Sequence, residues 1–317
     1  MFSLFDLELL CADEEKLRSF LQKYGMLSSP PSSCSTCGGP VTDVQERRGK
    51  PHVRCKRKGC RIWISCATSS LLEGCHLSFK TLLYLFYFWS HDSAGSRAVN
   101  MLGLDAHTVA LWSQRLRICV ANAEAAAERP LGGKGYELEC DECEVGRAQK
   151  GMYVHKTVVK GDIWGVRCRS SGKVILELFD KWQKGDEIER RFGPPSVEDV
   201  EALCLAKIKK GSILFTDGAR CYAVVAKKAG FFHDYVDHGN GVYAKSATVD
   251  GKVRRVHTNG IDGCWGRLKT WINSRGGIKD HLLWDNMNEF QWRYNLPVDA
   301  DPFLCLLDAV RNGHFPF

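Results

Sequence analysis

The pattern of apolar and polar positions predicts a helical first part of the chain. Residues 12–24 have the spacing of an amphipathic helix, and residues 78–90 are apolar on nearly every side, which predicts a buried helix. A short helix over 93–102 and a longer one over 107–127 flank a glycine-containing turn at 103–105, an arrangement similar to a helix-turn-helix. A plain helical packing domain gives the same pattern, so both interpretations stay open.

After residue 135 the pattern becomes typical of strands separated by helices. Residues 136–141 alternate, with Leu138 and Cys140 on one face and Glu137, Glu139 and Asp141 on the other. Further strands are predicted at 163–169, 173–179, 212–217 and 231–236, and helices at 194–210, 219–229, 258–272 and 281–295. Residues 239–255 are a basic loop or hairpin. Strands alternating with helices predict an α/β fold.

Composition narrows the class of protein. Of the 317 residues, 44% are hydrophobic and 26% are charged, which is ordinary for a globular chain and excludes global disorder. The longest apolar run, residues 82–89, is far shorter than the roughly 20 residues of a membrane helix. The first ten residues carry Asp6 and Glu8 instead of a secretory signal. We therefore expect an intracellular protein with no membrane partner.

Positive charge is concentrated in two segments. The net charge is +7, and residues 44–61 hold eight Lys or Arg against one acid. Residues 245–279 hold eight more against Asp250 and Asp262. Clustered positive charge is typical of a surface that binds nucleic acid, although a solvated basic face has the same composition.

Four of the 15 cysteines have the spacing of a zinc site. Cys34 and Cys37 form one close pair, and Cys55 and Cys60 form a second. Zinc prefers four tetrahedral sulfur ligands, and each pair supplies two of them from one turn, so the spacing predicts a structural zinc ribbon. The remaining cysteines are expected to be small core residues. A second metal turn at Cys140 and Cys143 is the less favoured alternative, since no partner pair lies nearby.

Three carboxylates are candidates for a second metal site. Asp141 and Asp217 are predicted to end strands, and Asp262 lies on the helix that begins near Thr258. Asp262 and Lys269 are seven residues apart and therefore share one helix face. Carboxylate oxygens bind hard divalent cations, and two such cations about 4 Å apart suit in-line attack at phosphorus. The alternative for each acid is a surface turn or a helix cap.

Four sequence blocks together resemble the signature of DDE transposases. They are Glu-Cys-Asp-Glu at 139–142, Ile-Leu-Phe-Thr-Asp-Gly-Ala-Arg-Cys-Tyr at 213–222, His-Thr-Asn-Gly-Ile-Asp-Gly-Cys-Trp-Gly-Arg-Leu-Lys at 257–269, and Asn-Glu-Phe-Gln-Trp-Arg-Tyr-Asn at 288–295. The chain is most similar to the Merlin superfamily of eukaryotic elements and its bacterial insertion-sequence relatives. That family also places a helix and a four-cysteine ribbon before its catalytic domain.

The resemblance implies a ribonuclease-H-like mixed sheet with flanking helices, which uses Mg²⁺ or Mn²⁺ to cut and rejoin DNA. The family's first and second acids match Asp141 and Asp217. Its third acid is commonly Glu, and Asp262 stands at that position. Asp is one methylene shorter, and a displacement of about 1 Å can cost on the order of 100-fold in rate. Asn259 lies one turn earlier and is the alternative third ligand, while His238 and His257 match positions near the family's site.

The resemblance also predicts the domain order and the partners. The predicted domains are an N-terminal helix and linker (1–30), the zinc ribbon (31–66), a helical DNA-binding module (67–130) and the catalytic domain (136–317). The partner would be double-stranded DNA, both element ends and target, bound by a homodimer or larger assembly that is nuclear if the source is eukaryotic. Lys269 is predicted to belong to the catalytic site, where it could contact a phosphate. The predicted DNA contacts are Arg54, Lys56, Arg57, Lys58, Arg254, Arg255 and Arg267. Two alternatives stay open: a transposase-derived DNA-binding protein that is catalytically dead, and a nuclease that cuts without joining.

Overall fold

The computed structural model describes residues 1–47, 50–68, 70–93, 95–127, 129–145, 161–179, 196–278 and 282–312. The helices are α1 (Leu4–Ala12), α2 (Glu14–Lys23), α3 (Phe79–Ser90), α4 (Gly95–Leu102), α5 (Ala106–Ala127), α6 (Val197–Lys207), α7 (Arg220–Ala229), α8 (Asn259–Ser274), α9 (Leu283–Asn295) and α10 (Pro302–Asn312). The strands are β1 (Gln45–Glu46), β2 (Pro51–Arg54), β3 (Trp63–Ser65), β4 (Leu131–Gly132), β5 (Glu137–Val145), β6 (Gly161–Cys168), β7 (Val174–Leu178), β8 (Ile208–Lys209), β9 (Ile213–Thr216), β10 (Phe232–Tyr235), β11 (Lys245–Val249) and β12 (Lys252–Val256).

The chain divides into two compact units. One comprises Met1–Ala126 together with Leu296–Phe317, and the other comprises Ala127–Asn295. The helix α10 therefore belongs to the unit that holds the N-terminus, whereas the division drawn from the sequence kept residues 136–317 together.

The first unit contains two helices that the sequence analysis did not predict, α1 and α10. The first begins at Ser3, whose hydroxyl and backbone N–H exchange hydrogen bonds with Asp6 in a capping box. The prediction of a buried helix near 78–90 is confirmed: α3 starts at the N-cap Ser78 and buries residues on most of its circumference. In the antiparallel sheet β1-β2-β3, Cys34 and Cys37 precede β1, and Cys55 and Cys60 lie between β2 and β3.

The second unit is built around a five-stranded mixed sheet with strand order β10-β9-β5-β6-β7. Strands β5, β6 and β7 form an antiparallel meander, and its turn contains the glycine Gly172 at a positive φ of 72°. Strand β9 runs parallel to β5, and β10 runs parallel to β9. The predicted hairpin of β6 and β7 is confirmed, and residues 245–256 form a second antiparallel hairpin, β11-β12.

Helices cover both faces of this sheet. On one face Leu138 and Cys140 pack with residues of α6 and α7, including the buried Tyr222. On the other face Cys143 and Val145 pack against α8 and α9. The predicted apolar stripe of α8 is confirmed, because Ile261, Trp265 and Leu268 are all buried in this second core, with Ile272 beside them. The stripe has the 3.6-residue period of a helix that lies flat on a sheet.

Candidate active site

The parallel pairing of β5 with β9 brings the first two predicted acids together. Glu139 is opposite Phe215 at the last paired position, and Asp141 and Asp217 each follow two residues later. Asp141 does not end its strand, which is a correction to the sequence analysis. The strand β5 continues to Val145 through its pairing with β6, since Cys143 and Val145 remain apolar and buried. Asp141 therefore lies where β9 stops and β5 goes on.

Asp217 is held by the turn that leads from β9 into α7. Its Oδ1 accepts a hydrogen bond of 3.1 Å from the backbone N–H of Ala219. The helix α7 begins at the next residue, Arg220. A carboxylate at a strand end just before a helix benefits from the free N–H groups and the positive end of the helix dipole. The backbone thus fixes the orientation of this side chain.

A third carboxylate, that of Glu142, joins the pair. Asp141, Glu142 and Asp217 each offer an oxygen, and these oxygens lie within 4.8 Å of one another. The sequence analysis gave Glu142 no role of its own. Its Oε1 accepts a hydrogen bond from the hydroxyl of Tyr222, which is fully buried. The sequence signal was the adjacent Asp-Glu pair followed by a tyrosine in the second block, but only the fold shows that the two side chains meet.

The environment of Asp141 disfavours its charged form. Burial is the main cause, and the neighbouring charges of Asp217 and Glu142 add to it, so that the pKa of Asp141 is raised to about 8. The indole N–H of Trp265 donates a hydrogen bond of 3.0 Å to Asp141 Oδ2. The indole itself rests on Gly165 of β6, where a Cβ would collide with its ring. A site with this much confined negative potential favours a bound cation.

The third predicted acid approaches the site from α8. Asp262 Oδ2 accepts a hydrogen bond of 3.0 Å from the hydroxyl of Thr258. Burial raises the pKa of Asp262 despite that bond, and its charge is close enough to raise the pKa of Asp141. Asp262 is nevertheless not one of the residues whose oxygens lie within 4.8 Å of one another. Asn259, the first residue of α8, and Lys269 have exposed side chains.

A buried ion pair holds the start of α8 against β5. Glu139 is 1% exposed. Its carboxylate accepts a hydrogen bond of 2.7 Å from Arg169 Nε and one of 2.8 Å from the backbone N–H of Ile261. Sequence reasoning placed Glu139 on a polar face of the strand; in the structure α8 covers that face. His257 Nδ1 lies 3.4 Å from the same carboxylate. The other histidine singled out, His238, has its Nε2 3.5 Å from the Thr258 hydroxyl.

The basic residues predicted near this site are in different environments. Arg254 makes ion pairs with Glu137 at 2.7 Å and with Asp250 at 3.6 Å, so it also serves a structural contact. The side chain of Arg255 is exposed. The guanidinium of Arg267 lies 5.6 Å from the ring centre of Tyr294.

The four predicted zinc ligands lie together in the first unit. Cys34, Cys37, Cys55 and Cys60 each offer a sulfur, and these sulfurs lie within 4.8 Å of one another. The Cys34–Cys60 distance is 3.8 Å and the Cys37–Cys55 distance is 3.6 Å. Four sulfurs about 2.3 Å from a tetrahedral zinc would be about 3.8 Å apart, so this group fits the metal. The N–H of Gly39 is the main cause that lowers the pKa of Cys37 to about 7, with the neighbouring sulfurs adding to it, whereas burial and the same neighbours raise the pKa of Cys60 to about 11. Cys37 is therefore the thiol of these two that ionises more readily.

Three arginines of the predicted ribbon lie near an aromatic ring or the cysteine cluster. The guanidinium groups of Arg54 and Arg47 lie 5.5 and 5.2 Å from the ring centre of Trp63. Arg57 donates a hydrogen bond of 3.1 Å to the carbonyl of Cys37, so this side chain also supports the knuckle. Lys56 and Lys58 are exposed.

Comparison with known proteins identifies part of the second unit. Residues 170–295 match the family model described as an ISXO2-like transposase domain, and this match supports assignment to the DDE transposases. It includes Asp217 and Asp262 and begins after Asp141. No curated protein matches the chain. Among the described residues, no helix is both long enough and apolar enough to cross a membrane.

Proposed function

We propose that this chain, which carries a DDE transposase domain, is a DNA transposase whose strand cleavage and strand transfer depend on Mg²⁺ or Mn²⁺. The observation that carries the proposal is the pairing of β5 with β9, which sets Asp141 beside Asp217. The strand order β10-β9-β5-β6-β7, with only β6 antiparallel to both neighbours, supports a ribonuclease-H-like core. Zinc at the four cysteines would hold the ribbon, and the ribbon with the helices after it would bind DNA.

The donor set at the sheet fits a hard divalent cation. Asp141 and Glu142 on β5 and Asp217 in the turn after β9 supply carboxylate oxygens, and Asp262 on α8 would supply a further one. Cations bound there would supply Lewis-acid activation and charge neutralisation at the attacked phosphate. Trp265 orients Asp141, and the backbone of Ala219 orients Asp217. A prepared arrangement of this kind lowers the barrier by positioning and by electrostatics.

The role of the third position can be tested by substitution. If Asp262 is the ligand, Asp262→Asn should abolish Mg²⁺-dependent cleavage of duplexes taken from the DNA that flanks the gene, while DNA affinity stays within about twofold, because holding a metal and contacting the phosphate backbone are separable roles. Asp262→Glu should keep or raise the rate. Asn259→Ala is the matched control on the same helix turn. Loss of cleavage in Asn259→Ala, with Asp262→Asn still active, would assign the position to Asn259.

One observation favours a second candidate function. Asp262 stays outside the group of close carboxylate oxygens, and its side chain is shorter than the family's usual Glu. A transposase-derived protein that binds DNA without cutting it is consistent with this arrangement. Cleavage by Asp262→Glu, with no cleavage by the natural chain under either Mg²⁺ or Mn²⁺, would favour that function.

DNA binding by the ribbon can be tested through its salt dependence. Reversing Lys56 and Lys58 to Glu should flatten the slope of log affinity against log salt by about 0.9 for each lost phosphate contact. Both side chains are exposed, so the zinc knuckle is spared. Reversing the exposed Lys209 and Lys210, which lie outside the basic segments, is the matched control and should change the slope less. Equal slopes in the two variants would place the DNA contacts elsewhere.

A further inference from the structure

Glu139 is an ionisable side chain buried inside the second unit. It lies on the same face of β5 as Asp141, two residues earlier, and is 1% exposed. Its two oxygens have different partners: Oε1 accepts from Arg169 Nε at 2.7 Å, and Oε2 accepts from the backbone N–H of Ile261 at 2.8 Å. Burying a carboxylate without such partners would be strongly unfavourable. Its contacts therefore tie β5 directly to the first turn of α8.

Arg169 completes the connection. Its Nη1 donates to Glu137 at 2.8 Å and to the carbonyl of Arg255 at 2.8 Å, and its Nη2 donates to the carbonyl of His257 at 2.7 Å. The guanidinium also lies 4.3 Å from the ring centre of Phe215. One planar group thus holds two acids of β5, one carbonyl of β12 and one carbonyl of the segment between β12 and α8. A lysine, with a single compact ammonium group, cannot reproduce this set of directions.

The same contacts fix the position of Asp262, the third predicted acid. Ile261, whose N–H is held by Glu139, directly precedes Asp262. Gly260 leaves no space at this point, because a Cβ there would lie 2.6 Å from Glu139 Oε2 and would also collide with Arg167. The first turn of α8 therefore packs directly against the Glu139 carboxylate, at a distance that only a glycine at position 260 allows.

We propose that Glu139 and Arg169 are positioning residues that set the distance between Asp141 on β5 and Asp262 on α8. This inference rests on the proposed function, since it assigns the pair a role in assembling that metal site. Neither residue needs to touch the metal or the DNA. An error of about 1 Å in such a spacing is enough to reduce a rate on the order of 100-fold.

The test compares two buried ion pairs of the same unit. Glu139→Gln keeps the size of the side chain but turns an amide NH₂ toward a donor. Glu289→Gln is the matched control, because Glu289 is also 1% exposed and pairs with Arg293 at 2.8 Å and with Arg275 at 3.6 Å, neither of which lies in the first turn of α8. Both variants should lose thermal stability. Only Glu139→Gln should lower the cleavage rate at saturating DNA, by about 10- to 100-fold with an unchanged KM, and raise the Mn²⁺ concentration that half-saturates the thermal shift. Arg169→Lys should also lower the cleavage rate, because a lysine cannot reproduce the contacts of the guanidinium group.

A second pair of variants applies if Glu139→Gln does not fold. Gly260→Ala places a methyl group against the Glu139 carboxylate without removing charge. Gly263→Ala, three residues later on the same helix, has no described atom within 4 Å of its added Cβ. The first should show the same loss of rate and Mn²⁺ response, and the second should resemble the natural chain. The proposal is overturned if Glu139→Gln or Gly260→Ala keeps the natural cleavage rate and Mn²⁺ response. It is also overturned if Glu289→Gln loses the rate and the Mn²⁺ response to the same extent. If the natural chain binds Mn²⁺ but cuts no DNA, the proposed function is wrong, and the Mn²⁺ concentrations at half-saturation alone test the positioning role. If the natural chain neither binds Mn²⁺ nor cuts DNA, both proposals are wrong.

Discussion

Replacing Asp141 with Asn should stabilise the chain when no divalent cation is present. The pKa of Asp141 is about 8 in the folded chain, mainly because of burial and the charges of Asp217 and Glu142, against an ordinary value of 3.8. At pH 7 the folded chain therefore keeps the proton that the unfolded chain has lost. Each pH unit between 3.8 and 7 is worth ~1.4 kcal/mol, which gives roughly 4 kcal/mol as an upper limit. An amide is neutral in both states and avoids this cost, and its oxygen can still accept from Trp265.

The sign of the pH dependence follows from the same linkage. Between pH 4 and pH 8 the folded natural chain binds more protons than the unfolded one, so the contribution of Asp141 to stability falls as pH rises. The difference in unfolding free energy between Asp141→Asn and the natural chain should therefore grow by about 1.4 kcal/mol per pH unit from pH 5 to pH 7. Taking the difference cancels the other titrating groups.

Urea unfolding at several pH values measures this difference. The buffer should contain no added Mg²⁺ or Mn²⁺ and no chelator, because a chelator would also remove zinc from the ribbon. Added Mn²⁺ should reverse the order: the natural chain gains stability as RT ln(1 + [L]/Kd), and Asp141→Asn gains little. Asp299→Asn, at an exposed acid, is the control. A less stable Asp141→Asn at pH 7 without metal, or a difference that does not change with pH, would refute the reasoning.

Two further predictions concern the ribbon and the site. The purified protein should contain about one zinc per chain. Cys37→Ser should lose the zinc and unfold the ribbon, whereas Cys305→Ser, outside the sulfur group, should keep it. Metal analysis measures the zinc, and near-ultraviolet circular dichroism measures the folding. Trp265→Phe removes the N–H that orients Asp141 and should slow cleavage by about 10-fold or more. Trp271→Phe, on the same helix, is the control, because Trp271 Nε1 has no hydrogen-bond partner among the described residues, and it should leave the rate per folded molecule unchanged. Similar rates for the two variants would mean that the hydrogen bond to Asp141 is dispensable.

Features with a local signal could be predicted from the sequence. The stripe of α8 could be predicted because the 3.6-residue period repeats over several turns, and the clustering of the four cysteines could be predicted because two close cysteine pairs are typical of a four-sulfur metal site. The strand position of Asp141 was misjudged because the end of β5 depends on pairing with β6, a distant segment. The burial of Glu139 was missed because its partner Arg169 lies 30 residues away. A charged side chain on the polar face of an alternating strand is predicted to be exposed to solvent unless a partner of opposite charge is known.

The parallel arrangement of β5 and β9 has a consequence for how the protein is made. The two strands are separated by the whole β6-β7 hairpin and by α6, so their pairing is non-local, and its loop-closure entropy must be met before the contact contributes stability. During synthesis Asp141 leaves the ribosome well before Asp217, and a chain interrupted ahead of β9 holds one strand acid without the other. Incomplete translation products are therefore expected to contain no assembled carboxylate site.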